Sequence, residues 1–243
     1  MMINVVAPAK LTLSLRVVGT RDDGMHLIDA EMVTLDLADE LRIDPEDSGV
    51  RYFDGDISVA GLEIASDDDL VTRALRLSGV TALVDVRKNI PAGAGLGGGS
   101  ADAAAVLRWA GFTDTEAAAR IGADVAFCLV GGRARVRGIG EIVEPLPFVS
   151  REFTLVTPRI HCSTPDVYRM WDEMGGPRGS NGNDLEPAAL AIAPELEAVR
   201  DALAQATGAA PRLAGSGSAW FVEGTFPDAG RVVRTIAASS DVI

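Results

Sequence analysis

From residue 10 to residue 17 polar and apolar side chains alternate without a break. Lys10, Thr12, Ser14 and Arg16 share one side, and Leu11, Leu13, Leu15 and Val17 the other. A period of two predicts a half-buried β-strand with Lys10 and Thr12 projecting the same way. Arg21-Asp22-Asp23-Gly24 predicts a turn, and residues 31–37 and 40–43 predict two further strands. At Leu70 the period changes. Acidic residues 67–69 precede Leu70, Val71, Ala74, Leu75 and Leu77, and Gly79 closes the run, which predicts a helix. A strand is predicted over 81–86, an Ala-rich helix over 102–109, and a short helix over 115–121 that stops at Gly122-Ala123-Asp124.

A strand over 133–137 is followed by a change of register with two prolines in 146–151, where a domain boundary is expected. Beyond it the pattern predicts a strand over 153–156 and a polar, glycine-rich loop over 175–183. A helix over 194–207, striped by Leu196, Val199 and Leu203, stops at Gly208, and a strand follows over 219–222. The mixture of segregated strands and helices predicts an α+β fold.

At 47% hydrophobic but only 5% aromatic, the 243-residue chain fills its core chiefly with Leu, Val, Ile and Ala. The net charge of −13 opposes binding to nucleic acid or to an anionic membrane. Two cysteines, Cys128 and Cys162, make no disulfide framework, and His26 and His161 stand outside any zinc-ligand spacing. With neither a signal-peptide pattern nor an apolar run of membrane-spanning length, a soluble cytoplasmic protein is expected.

The strongest local signal is residues 90–100, IPAGAGLGGGS. Glycines let backbone amides face a ligand without steric cost, and the N-terminus of the following helix adds unpaired N–H groups and a positive dipole end. That combination suits phosphate. Ser100 adds a hydroxyl able to bond phosphate or sit near a metal ion. Gly93, Gly95 and Gly98 also fit G-x-G-x-x-G, but Lys88-Asn89-Ile90-Pro91 separates them from the preceding strand, unlike a dinucleotide site. No Lys-Ser/Thr follows the glycines as in a Walker A loop. A mobile surface loop is the plainer alternative.

Five separated motifs occur in order: Pro8-Ala9-Lys10-Leu11, Asp23-Gly24-Met25-His26, Gly93 to Ser100 with Ala101-Asp102-Ala103-Ala104, Gly122-Ala123-Asp124-Val125, and Leu213-Ala214-Gly215-Ser216-Gly217-Ser218. In this order the chain resembles the GHMP (galactokinase, homoserine, mevalonate and phosphomevalonate) kinase superfamily. The Gly-Gly-Gly-Ser loop and Gly-Ala-Asp-Val resemble, more narrowly, the 4-diphosphocytidyl-2-C-methyl-D-erythritol kinase family of the non-mevalonate isoprenoid pathway. The resemblance implies a two-domain α+β GHMP kinase fold. A ribosomal protein S5 domain 2-like, ATP-binding N-terminal domain would span residues 1–147, and a ferredoxin-like C-terminal domain residues 148–243. It implies transfer of the ATP γ-phosphate to the tertiary 2-hydroxyl of a cytidine diphosphate-linked polyol, with Mg²⁺ required and the protein's metal ligands unassigned.

By the same resemblance Asp124 is the catalytic carboxylate and Lys10 the active-site cation. The phosphate loop comprises Pro91, Gly93, Ala94, Gly95, Leu96, Gly97, Gly98, Gly99 and Ser100. Thr12, Met25, His26, Thr164 and Tyr168 fall on the acceptor side, Tyr168 as the ring that stacks on cytosine. The plainer readings are a turn or cap for Asp124, a solvated strand end for Lys10, a turn histidine at 26 and core packing for Tyr168. The Asn183-Asp184 pair is either a family feature or a helix cap. Several positions depart from the family pattern. Thr12 stands for Asn, Met25 for Tyr, Ala101 for Ser, Asp69 for Asn and Ala126 for Pro. Two alternatives stand beside this reading: a GHMP-type kinase for a homoserine- or mevalonate-like acceptor, and an inactive kinase-like binding module.

Overall fold

The computed structural model describes residues 2–54, 63–64 and 68–238. Two antiparallel strands, β1 (Ile3–Thr20) and β2 (His26–Asp44), form a long hairpin across the turn at residues 21–25. They belong to a seven-stranded sheet with β3 (Gly49–Asp54), β4 (Glu63–Ile64), β5 (Leu83–Lys88), β6 (Arg133–Gly138) and β7 (Ile142–Pro145). The order is β4-β3-β5-β2-β6-β7, with β1 paired to β2; only β3 and β5 run parallel. Helices α1 (Leu70–Ser78), α2 (Gly98–Trp109), α3 (Thr115–Ile121) and α4 (Ala123–Val130) accompany this sheet, with α2 packed against β1, β2, α1 and α4.

The second sheet is smaller. β8 (Glu152–Val156), β9 (Arg212–Leu213), β10 (Trp220–Glu223) and β11 (Arg231–Arg234) pair in the order β11-β8-β10-β9. Helices α5 (Thr164–Glu173), α6 (Glu186–Ile192) and α7 (Glu195–Thr207) complete the unit. Its core centres on Phe153 and Phe221, packed edge to face at 5.7 Å, and on fully buried Trp220. Two sheets, each with its own helices, make the α+β architecture that the sequence predicts.

Several elements differ from the sequence pattern. The two strands expected over 31–37 and 40–43 are one continuous β2. Asp39, which breaks the apolar pattern, is fully buried, and its carboxylate accepts the backbone N–H groups of Asn89 and Ile90. Helix α2 begins at Gly98, four residues before the expected start, because the last glycines of the loop already wind as its first turn despite their low propensity. Gly122 does not end the helical region: it closes α3 and caps α4 at once. Of the acidic helix start, residue 67 lies outside the described residues. Asp69 is the N-cap of α1, accepting from Val71 and Thr72 N–H, and left-handed Gly79 closes it.

β1 ties the two sheets together. Leu15 N–H donates to the Gly182 carbonyl and Asp184 N–H to the Leu15 carbonyl, an addition of the 182–184 segment to the strand. This explains why the polar face of β1 is also buried at Lys10 and Thr12: it is not a solvent face but an inter-domain one.

Candidate active site

Where β1 passes between the two glycine loops, Lys10 is enclosed. Its backbone N–H donates to Leu96 in the first loop at 3.0 Å. A Cβ on Gly97 would come within 2.8 Å of Lys10 Cγ, and one on Gly215 in the second loop within 3.4 Å of its Nζ. Both glycines therefore leave room for this one side chain. The ammonium donates to Thr12 Oγ1 at 3.1 Å, as the shared face of the strand predicts, and lies 3.2 Å from Asp124 Oδ2.

Asp124 sits in the first turn of α4, at the positive end of the helix dipole and beside the Lys10 ammonium.

The first loop runs from Pro91 into α2. Gly93, Gly95 and Gly97 all have positive φ, a region that favours glycine. At Gly95 the demand is strictest, since a Cβ there would lie 2.2 Å from the Ala214 carbonyl oxygen. The second loop locks against the first through Ser218 N–H to Gly93 O (3.2 Å) and Ala219 N–H to Ala94 O (3.1 Å). Gly98, Gly99 and Ser100 form the first turn of α2, whose N–H groups lack intrahelical acceptors. A phosphate chain in the cavity would meet these donors, the positive end of a twelve-residue helix and, beyond it, the Lys10 ammonium.

One cavity of about 990 Å³ collects Lys10, Asp124, the first-loop residues and the five residues expected on the acceptor side, Thr12, Met25, His26, Thr164 and Tyr168. The His26 ring stacks on Tyr168 at 4.7 Å and meets the edge of Trp171 at 5.6 Å, and its Nε2 lies 2.8 Å from Asp172 Oδ1. Burial, reinforced by the Asp124 charge, pushes the Tyr168 phenol above its usual pKa, so that ring stays neutral. Thr164 hydrogen-bonds Ser216 of the second loop at 2.8 Å. Met25 stands half-exposed at the rim.

The sequence reading missed a second polar group beneath the loop. Lys88 Nζ bonds Asp102 at 2.5 Å and also Asp39. Burial opposes the Lys88 charge, but the two carboxylates outweigh it and hold its pKa above the ordinary lysine value. Burial pushes Asp102 up to about 8, with Lys88 pulling it back only in part. Tyr52 donates to Asp69 at 2.5 Å; Tyr52, Asp69, Lys88 and Asp102 all line the cavity. The available signal was slight: Lys88 directly precedes the loop, whereas Asp39 lies 49 residues away in sequence. Trp171 and Asp172 were also missed: they belong to α5, whose signal is the helical spacing of Val167, Tyr168, Met170 and Trp171 after Pro165.

The GHMP kinases N terminal domain family matches residues 69–132, which include the first loop and Asp124. A 4-diphosphocytidyl-2-C-methyl-D-erythritol kinase of Cereibacter sphaeroides (strain ATCC 17025 / ATH 2.4.3) is 37% identical, with 88% of this chain and 87% of that protein covered. Its counterpart in Ruegeria pomeroyi is 35% identical over 98% of this chain and 93% of that protein. Among solved structures, a 4-(cytidine 5'-diphospho)-2C-methyl-D-erythritol kinase superposes with a TM-score of 0.74 at 31% identity, covering 98% of this chain and all of that one. A homoserine kinase from Cytophaga hutchinsonii shares the fold at 19% identity and a TM-score of 0.62.

Proposed function

Given that the chain belongs to the 4-diphosphocytidyl-2-C-methyl-D-erythritol kinase family within the GHMP kinases, we propose that it transfers the γ-phosphate of ATP to the 2-hydroxyl of 4-diphosphocytidyl-2-C-methyl-D-erythritol. The observation that carries this reading is the Lys10–Asp124 pair, held 3.2 Å apart between a phosphate loop and a pocket floored by Tyr168 and His26. Phosphotransfer to a small alcohol follows from the family; the cytidine-linked acceptor rests on the ring pair.

In this reading the triphosphate lies along Gly95 to Ser100, with backbone N–H groups and the α2 dipole taking its charge. The acceptor hydroxyl oxygen attacks the γ-phosphorus as the bond to the β-phosphate bridging oxygen breaks, and ADP leaves. The hydroxyl proton passes to Asp124. A tertiary alcohol is a weak nucleophile, so a carboxylate that takes this proton as the new bond forms lowers the barrier. Lys10, 3.2 Å from Asp124, offsets charge on the transferring group. Bound Mg²⁺ would supply charge neutralisation for the nucleotide phosphates, and Ser100, at the head of α2 and lining the cavity, is the hydroxyl of this chain that would help hold it.

The test is ADP release by purified protein with ATP and, in parallel, the cytidine diphosphate-linked polyol, homoserine and mevalonate. Turnover confined to the first supports the proposal. Turnover with one of the others moves the protein to a different acceptor, and nucleotide binding without turnover makes it a binding module.

A further inference from the structure

The contact between His26 and Asp172 does chemical work that neither residue does alone. Asp172 is a carboxylate and can only accept, so the hydrogen in their 2.8 Å contact belongs to His26 Nε2. In the neutral ring that leaves Nδ1 as a lone pair, an acceptor with nothing to donate. Among the described residues Nδ1 has no hydrogen-bond partner, and His26 lines the cavity. The ring cannot easily turn to present Nε2 instead. Tyr168 lies along its face, 26° from parallel, and Trp171 meets it edge-on at 88°. Its side chain is only 11% exposed. Orientation and tautomer are therefore fixed by three residues of one helix, α5, acting on a residue that opens β2.

We infer that Asp172 is a specificity-determining positioning residue: by taking the Nε2 hydrogen of His26 it makes Nδ1 an acceptor, and so selects a base that offers an amino group over one that offers a carbonyl. The inference rests on the proposed function for the nature of the acceptor, a pyrimidine nucleotide-linked alcohol. Cytosine presents an exocyclic amino group where uracil presents a carbonyl oxygen. An acceptor nitrogen facing the first gains a hydrogen bond; facing the second it meets another lone pair. The half-exposed rim residue Met25 contributes contact but no donor or acceptor of comparable directionality, which leaves the distinction to His26. Asp172 touches the base only through His26.

The experiment compares the full-length protein with its Asp172→Ala variant. The Asp172 side chain is 54% exposed on α5, so the variant is expected to fold. Long-range ¹⁵N–¹H spectra report the tautomer of each histidine, and with only His26 and His161 present a single His161→Asn spectrum assigns them. Spectra are recorded at alkaline pH, in the range where the ring signals no longer move with pH. Dissociation constants of CDP and UDP, and KM for the cytidine- and uridine-linked acceptors, measure discrimination. We expect the wild-type His26 to carry its hydrogen on Nε2 and to favour the cytosine ligands. In Asp172→Ala the tautomers should mix and the preference should narrow by about 10-fold, through KM rather than kcat. An unchanged tautomer, or an equal loss for both bases, overturns the inference. Absence of turnover by the wild type defeats the functional proposal instead. The tautomer and the CDP-to-UDP binding ratio then still decide the role of Asp172: a ratio near one in the wild type overturns it.

Discussion

Lys10 and Asp124 are paired but unequally covered: the lysine side chain is 5% exposed and the aspartate 32%. The cation is held between two loops in the cavity wall, while the carboxylate opens more widely to the cavity and can receive a proton from a ligand. Asp124→Asn keeps the size and the hydrogen-bonding reach but removes the base. Turnover should fall by about 10²-fold or more. The Michaelis constant for ATP should change little, because the loop is untouched. Steady-state kinetics check this, and turnover near the wild-type rate would remove Asp124 from the chemistry.

Gly97 and Gly99 stand two residues apart but face different demands. Gly97 has φ of 69°, and a Cβ there would press on Lys10 Cγ at 2.8 Å; Gly99 has no positive φ and would meet only Leu70 Cδ1 at 3.6 Å. Gly97→Ala should therefore destabilise the fold by about 1–3 kcal/mol through backbone strain and should also displace Lys10. Gly99→Ala should leave thermal stability within about 1 kcal/mol of wild type. Equal melting temperatures for the two variants would show that the loop does not hold the described geometry.

Much of this site was legible in the sequence because its parts are local. The alternation around Lys10 placed Lys10 and Thr12 on one face, and the glycine run marked the loop that lines the cavity. The unread parts depend on pairings distant in sequence. Asp39 looks like a break between strands until it is seen receiving the Asn89 and Ile90 amides. Helix α4 was hidden because Gly122 reads as a stop, whereas its extended backbone starts the next helix. Helix α5 carries an apolar stripe at Val167, Tyr168, Met170 and Trp171, but with only Val167 fully buried the segment was read for Thr164 and Tyr168 alone, and the contacts of Trp171 and Asp172 to His26 went unread.

Asp102 makes stability depend on pH with a definite sign. In the unfolded chain it ionises near pH 4, while in the fold burial pushes it up to about 8. Between those values the folded state binds the extra proton, so this group's contribution declines as pH rises from about 4 to 8. Asp102→Asn removes the titration. Lys88 loses one partner in the variant but keeps Asp39 and stays charged over this range, which adds a constant offset rather than a slope. The variant should gain on the wild type progressively between pH 5 and pH 8, a trend read from melting temperatures across that range. Parallel curves would mean that Asp102 is ionised in the fold throughout.

Asp184 is fully buried, yet it touches no part of the proposed chemistry. Its Oδ1 accepts from Arg16 Nη1 at 2.5 Å and Gly179 N–H at 3.1 Å, and its Oδ2 from Arg178 Nη1 at 2.9 Å and Val17 N–H at 3.1 Å. It thereby pins the 182–184 segment to β1. Asn183 in that segment donates through Nδ2 to the Leu213 and Gly215 carbonyls at 2.9 and 2.7 Å, fixing the second loop that closes over Lys10. In Asp184→Asn one oxygen becomes an NH₂ group facing donors, so a backbone N–H and a guanidinium lose their acceptor together. The two arginines are 40% and 67% exposed and remain hydrated, which limits the loss to about 2–4 kcal/mol, chiefly from the buried amide. Arg178→Ala, which removes only an exposed partner, should cost under about 1 kcal/mol. Denaturant midpoints give both values, and kinetics supply the second half of the prediction. Because Asp184 holds the segment that holds the loop, Asp184→Asn should lower turnover even at temperatures where the protein is fully folded, while Arg178→Ala should not. A variant that is destabilised yet fully active when folded would uncouple the inter-domain tie from the placement of Lys10.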